Sequence, residues 1–286
     1  MLNPIAKTKI IDCHIHLRTS GHDMSVPLPS RAQMFDGMRE AGVAGGIIFS
    51  TAPPDKHPKR KGDPAEARVD EVLQVCAAEK DLELYPFLYI NPIEPDAVAQ
   101  VAMAKSKGVK GFKIICTQHY PGDERAIPTY QAMAAANMPL LFHSGILFGS
   151  TPTSDFNRPA AFEPLMFVEG LRFAMAHMSW PWCEEMIAVY GKIRNAKNHN
   201  PNAAELWVDT TPGTPLYGRA EFMHRFYQFG TKSISQRIMF GTDCMLGTGY
   251  NAEAATRMIE HDEQVSSVYG ANAQYFNESV LWFLNG

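Results

Sequence analysis

Short apolar runs recur along the chain, each followed by turn residues and then by a segment whose apolar positions repeat at helical spacing. That alternation predicts β-α units around a parallel sheet. Strands are expected at 9–16, 45–51, 84–91, 111–117, 139–144, 172–177, 205–211 and 237–243. Helices are expected between them at 30–41, 64–80, 95–107, 127–136, 181–194 and 219–229. Eight alternations in 286 residues predict an α/β protein, a (β/α)8 TIM barrel forming a single domain over 1–286. In that architecture, ligand-binding and catalytic groups sit at the C-terminal ends of the strands. Polar residues do fall there: His14 and His16 on strand one, Lys113 and Thr117 on four, His143 on five, His177 on six, Asp209 on seven and Asp243 on eight. The connection after strand five, from Gly145 to about Glu163, is the longest and is expected to be a substrate loop or lid.

Composition narrows the classes. With 45% hydrophobic and 20% charged residues the chain is that of an ordinary globular protein. A net charge of -4 without a basic stripe argues against nucleic-acid binding through phosphates. The run His57-Pro58-Lys59-Arg60-Lys61, bracketed by prolines, reads as a solvated loop. Five scattered cysteines form neither a disulfide framework nor a paired zinc knuckle. No signal peptide and no stretch long enough to span a membrane is evident. A cytoplasmic protein acting on a small molecule is expected, with homo-oligomerisation left open.

The most informative segment is Asp12-Cys13-His14-Ile15-His16, at the end of the first strand. Strict alternation would place Asp12, His14 and His16 on one face, so that two imidazoles converge and Asp12 orients one of them from behind. Neutral imidazole nitrogen suits zinc and neighbouring divalent metals. His143 ends the apolar run Pro139-Leu-Leu-Phe, His177 ends Phe173-Ala-Met-Ala, and Asp243 closes Ile238-Met-Phe-Gly-Thr. Further polar residues fall after strands: Arg18, His22, His119, Tyr120, Arg158, Trp180, Tyr217 and Tyr250. Of these, Arg18, Arg158 and Tyr250 are the expected substrate contacts, an arginine being suited to clamp a carboxylate. His57, His199, His224 and His261 read as surface or packing residues.

His-x-His on strand one, histidines on five and six, and aspartate on eight form a pattern that resembles the amidohydrolase superfamily over nearly the whole chain. The segment Arg237 to Asp243 and the late Asn272-Ala273 are similar to its amidohydrolase 2 subgroup. The resemblance implies that His14, His16, Asp243 and His143 are metal ligands, and that His177 is either a ligand or the group orienting an activated water. It also implies that Asp243 and His177 are catalytic, the first moving a proton and the second supporting the developing oxyanion. Zinc is the expected ion, with manganese compatible. Lys113 is compatible with the carboxylated lysine of the two-metal branch; one ion is favoured over two, because an unmodified ammonium has no lone pair to give.

The subgroup contains hydrolases, lactonases and non-oxidative decarboxylases. The expected reaction is hydrolysis of an ester, lactone or amide bond in a small, acidic metabolite, with decarboxylation of a small carboxylic acid as the alternative. A TatD-like deoxyribonuclease shares the opening motif but usually carries glutamate where this chain has Lys113. A non-catalytic metal-binding protein is a further reading, disfavoured because every ligand type is present.

Overall fold

The computed structural model describes residues 8–18, 27–53, 63–149, 152–212, 215–229 and 234–286. Its centre is a curled sheet of nine strands: β1 (Ile10–His16), β2 (Val43–Phe49), β3 (Glu83–Tyr89), β4 (Gly111–Ile114), β5 (Leu140–Phe142), β6 (Arg172–Met175), β7 (Glu205–Asp209), β8 (Ile238–Met239) and β9 (Cys244–Met245). Every pairing is parallel, and the order β8-β7-β6-β5-β4-β3-β2-β1-β9 places chain neighbours side by side from β1 to β8, while β9 pairs with β1. Parallel neighbours need crossover connections. These carry α1 (Arg31–Glu40), α2 (Ala65–Ala78), α3 (Ala97–Lys107), α4 (Ile127–Ala135), α5 (Cys183–Ala196) and α6 (Leu216–Gln228), while α7 (Ala252–Val268) and α8 (Ser279–Asn285) follow the last strand.

Local chemistry sets these boundaries. Ser30 and Gln33 form a reciprocal capping box that satisfies free N–H groups at the start of α1. Gly108 ends α3 in the left-handed conformation, at φ 98°. Strands covered on both faces are expected to be continuously apolar, which accounts for the legibility of the runs.

Buried apolar side chains form two clusters. The larger lies between the sheet and the helices and includes Ile10, Ile15, Leu17, Phe35, Val72, Phe142 and Phe226. The smaller uses other strand residues, Ile11, Cys13, Ile47, Phe49, Phe87, Leu141, Ala174 and Trp207, together with Val280 and Phe283 of α8. This second cluster therefore fills the face that α1–α7 do not cover. Arg172 holds α8 in place there, its Nε donating to the Phe283 carbonyl at 3.1 Å.

One expectation is corrected. The last strand, predicted as one element over 237–243, is split into β8 and β9 by the irregular stretch 240–243. Gly241 is the reason for part of this: a Cβ there would lie 3.1 Å from the His14 Cβ and 2.5 Å from Thr211, so the chain passes close against β1 and β7. Asp243 is in the left-handed region at φ 58°, which ends the extended run. The connection after β5 contains 3-10 turns at Ser154–Asn157 and Pro159–Phe167.

An ion pair locks α6 to α7. Arg219 and Asp262 are both buried, with Arg219 Nε 2.8 Å from one carboxylate oxygen and 3.0 Å from the other. Burial alone would raise the Asp262 carboxyl, but the guanidinium and hydrogen bonds from His261 and Tyr275 leave it below its ordinary value of 3.8. Removing one partner strands a buried charge. Arg219→Leu is therefore expected to cost about 3–5 kcal/mol in urea unfolding. For Asp262→Asn, the loss relative to wild type should be full above pH 3.8 and shrink as pH falls below it, because a depressed carboxyl contributes stability only while ionised.

Candidate metal centre

The site begins with an irregularity in β1. Its register against β2 shifts between Asp12 and Ile15, so simple alternation fails across the motif. Cys13 still lies in the smaller cluster, Ile15 lies in the sheet–helix layer, and the rings of His14 and His16 both pack edge-on against Phe49, at 4.9 and 5.1 Å. Asp12 goes the other way. One of its oxygens accepts the backbone N–H groups of His14 at 3.0 Å and Thr242 at 3.1 Å, and the other accepts the Tyr250 hydroxyl at 2.9 Å and the Thr242 hydroxyl. The expectation that Asp12 orients an imidazole is thereby corrected: it fastens the turn that carries Asp243. Burial raises its carboxyl to about 6 despite those hydrogen bonds.

From that turn the Asp243 N–H donates to the His14 carbonyl at 2.9 Å, and its carboxylate comes back over the strand. Asp243 Oδ1 lies 3.5 Å from His14 Nε2 and 3.3 Å from His16 Nε2. The three side chains offer ligand atoms that all lie within 4.8 Å of one another. Burial would raise the Asp243 carboxyl, but His14, His16 and His177 hold it well below the usual carboxylate range. His14, fully buried and beside the Lys113 ammonium, has its pKa lowered to about 3 and is neutral. Its other nitrogen, Nδ1, sits 2.8 Å from Asp209 Oδ2.

Two more imidazoles border this group. His177 stands 5.1 Å from His14 between ring centroids, and its Nε2 lies 3.1 Å from His143 Nδ1. Burial lowers both pKa values, that of His143 the more steeply. His143 Nε2 is buried and has no hydrogen-bond partner among the described residues. A buried, unsatisfied nitrogen costs about 1–3 kcal/mol, which a cation would offset. The imidazole of His14 oriented by Asp209, the imidazole of His16, an ionised carboxylate and an orphaned buried nitrogen are a donor set that fits a divalent metal of the zinc type. Lys113 Nζ lies 3.2 Å from His14 Nε2 and 5.0 Å from the centroid of the Phe49 ring. Burial lowers its pKa to about 8, with Asp209 and Asp243 acting in the opposite direction.

The residues expected to read substrate are placed differently. Arg18 is buried, with Nε 3.1 and 3.3 Å from the two Glu71 oxygens, and Tyr250 is buried on Asp12. These contacts tie Arg18 to α2 and Tyr250 to the strand end behind the cluster, and Tyr250 also lines a cavity together with Asp243. Arg158 lies outside the cluster, 2.9 Å from Glu185, on a cavity of about 620 Å³ shared with Tyr120, Asp123 and Asp155 and lined by none of the site histidines. His119 is buried against Cys116 at 3.5 Å, Trp180 stacks on Phe148, and Tyr217 falls within α6. His22 and the basic run with His57 lie outside the described residues. Thr211, which lies between Asp209 and His177, went unrecognised; Asp209 was visible only as a polar strand end.

A curled parallel sheet with His14, His16 and Asp243 gathered at its strand ends defines a metal-dependent hydrolase-type enzyme. The amidohydrolase family model matches residues 11–275, and the chain belongs to that family, whose members depend on metal. No curated protein matches the chain in sequence. Among solved structures it is similar to a 2,6-dihydroxybenzoate decarboxylase complexed with 2,6-dihydroxybenzoate, at TM-score 0.66 and 13% identity, over 97% of this chain and 98% of that one. A dihydroorotase from Campylobacter jejuni aligns at TM-score 0.59 and 14% identity, over 96% of this chain and 82% of its own. An amidohydrolase from Burkholderia multivorans with bound zinc aligns at 0.59 and 12%, over 96% and 99%. At such identities the likeness establishes the fold. Among the described residues, no helix is long and apolar enough to cross a membrane.

His16→Ala and Asp243→Ala are each expected to weaken zinc binding by more than about 100-fold in chelator competition, since losing even an outer partner costs about 10–100-fold. Far-UV circular dichroism should stay unchanged. Undiminished zinc affinity in both variants would remove these residues from the ligand set.

Proposed function

We propose that this chain is a zinc-dependent hydrolase in which a single closed (β/α)8 domain holds one ion and cleaves an ester, lactone or amide bond of a small, acidic metabolite. The convergence of His14, His16 and Asp243 on one point carries the reading. His143 adds a fourth donor through its unpartnered Nε2. Closure is supported by the Cys13 N–H, which donates to the Phe240 carbonyl at 2.9 Å and so links β1 to the residue after β8.

When bound, a divalent cation supplies Lewis-acid polarisation and lowers the pKa of a coordinated water from about 15.7 to near 7. The protein's own groups do the rest. Asp243, kept ionised by its imidazole neighbours, accepts a proton from the attacking water and returns it to the leaving group. His14 is held rigid by Asp209, and His143 by its contact with His177. Lys113 supports an acidic substrate. It is a buried ammonium with which no carboxylate of the described residues pairs, and such a charge calls for an anionic partner.

The second reading keeps the centre and changes the reaction to non-oxidative decarboxylation, which Lys113 also favours because a carboxylate is then the reacting group. The fold shared with the dihydroxybenzoate decarboxylase permits it. Assay of the zinc-loaded enzyme on lactones, esters and amides bearing a carboxylate should give cleaved or ring-opened product without carbon dioxide. Asp243→Asn, measured at saturating zinc, should lower kcat by about 10²–10⁴-fold. Release of carbon dioxide from any of these acids, with no cleaved product, would replace hydrolysis by the second reading.

A further inference from the structure

We infer that Asp209 is a positioning residue that dictates which ring nitrogen is bare on His14, on His177 and on His143. The purpose assigned to this rests on the metal centre proposed above; the arrangement itself follows from donors and acceptors.

Asp209 Oδ1 accepts two backbone N–H groups, from His177 at 2.8 Å and Thr211 at 3.1 Å. Backbone N–H groups can only donate, so this oxygen is an acceptor. The Thr211 hydroxyl also bonds to it and must therefore donate its one proton there. What remains on Thr211 Oγ1 toward His177 Nδ1, 2.7 Å away, is a lone pair, so Nδ1 carries the hydrogen. His177 Nε2 is then bare. It accepts from His143 Nδ1 at 3.1 Å, which leaves His143 Nε2 bare as well, and that is the buried nitrogen found without a partner. On the other side, Asp209 Oδ2 takes the His14 Nδ1 hydrogen at 2.8 Å. His14 Nε2 must be bare, and an independent contact agrees: Lys113 Nζ, which has only hydrogens to give, approaches it at 3.2 Å.

One carboxylate thus leaves a bare Nε2 on both His14 and His143. His177 faces His143 as an acceptor. Asp209→Asn keeps the shape and reverses one bond. Three donors crowd the Oδ1 position, so the amide oxygen must take it. The amide NH2 then faces His14 Nδ1 and forces the hydrogen onto Nε2.

Long-range 1H–15N correlation spectra of the full-length, zinc-free protein read these tautomers directly. Wild type should show Nδ1–H with bare Nε2 at all three rings. Asp209→Asn should move His14 to Nε2–H and weaken zinc binding about 10–100-fold in chelator competition. Thr211→Val should leave His14 unchanged while His177 and His143 lose their single pattern. An Nε2–H signal from His14 or His143 in wild type overturns the inference, as does an Asp209→Asn protein in which all three rings are unaltered. Should Asp209→Asn fail to fold, the wild-type and Thr211→Val spectra decide. If the wild-type rings carry these tautomers but the protein ignores zinc, the metal reading fails and the role of Asp209 stands.

Discussion

The slip in register within β1 is the constraint on which the site depends. A strand in perfect alternation would put the aspartate and both histidines on one face, where a third carboxylate would crowd the imidazoles. The shift between Asp12 and Ile15 separates them. Asp12 then faces the sheet–helix layer and grips Thr242 and Tyr250, while His14 and His16 lie against Phe49 on the other side. The same short segment therefore supplies two ligands and anchors the turn that brings the third. Positions far apart in sequence are coupled through a single residue.

Electrostatics follow from this enclosure. His14, His143 and His177 are driven toward the neutral form by burial, whereas Asp209 and Asp243 remain ionised because the rings and hydroxyls around them outweigh their desolvation. Lys113, lowered to about 8, stays largely protonated at neutral pH. Two carboxylates against one ammonium leave the buried group with one negative charge in excess, and its neutral nitrogens can act as donors of electron pairs. Such a site selects cations.

Much of this was legible in the sequence. The apolar runs marked β1–β7 because strands buried on both faces leave unbroken hydrophobic stretches, and the helices α1–α6 followed from periodicity and caps such as Ser30. The ligand types were legible because imidazoles and a carboxylate stood at strand ends. Facing was not. Nothing in Asp12-Cys13-His14 announces a register shift, since it is set by how β1 meets β2. Nor could the commitments of Arg18 to Glu71 and of Tyr250 to Asp12 be foreseen, because these partners are 53 and 238 residues away. Asp209 stood at a strand end like its neighbours, and only the geometry of Thr211 and His177 distinguishes it. The division of the last strand reflects the tight passage of Gly241 past His14, a contact between chain ends.

The placement of Lys113 carries a consequence for loading. His14 Nε2 has one lone pair, and the ammonium already rests on it. Anything that coordinates this nitrogen must evict the lysine, so occupancy here is an exchange of one positive group for another. The displaced amine then keeps its charge without its resting place, and the cavity becomes more attractive to an anion at the moment it becomes chemically competent.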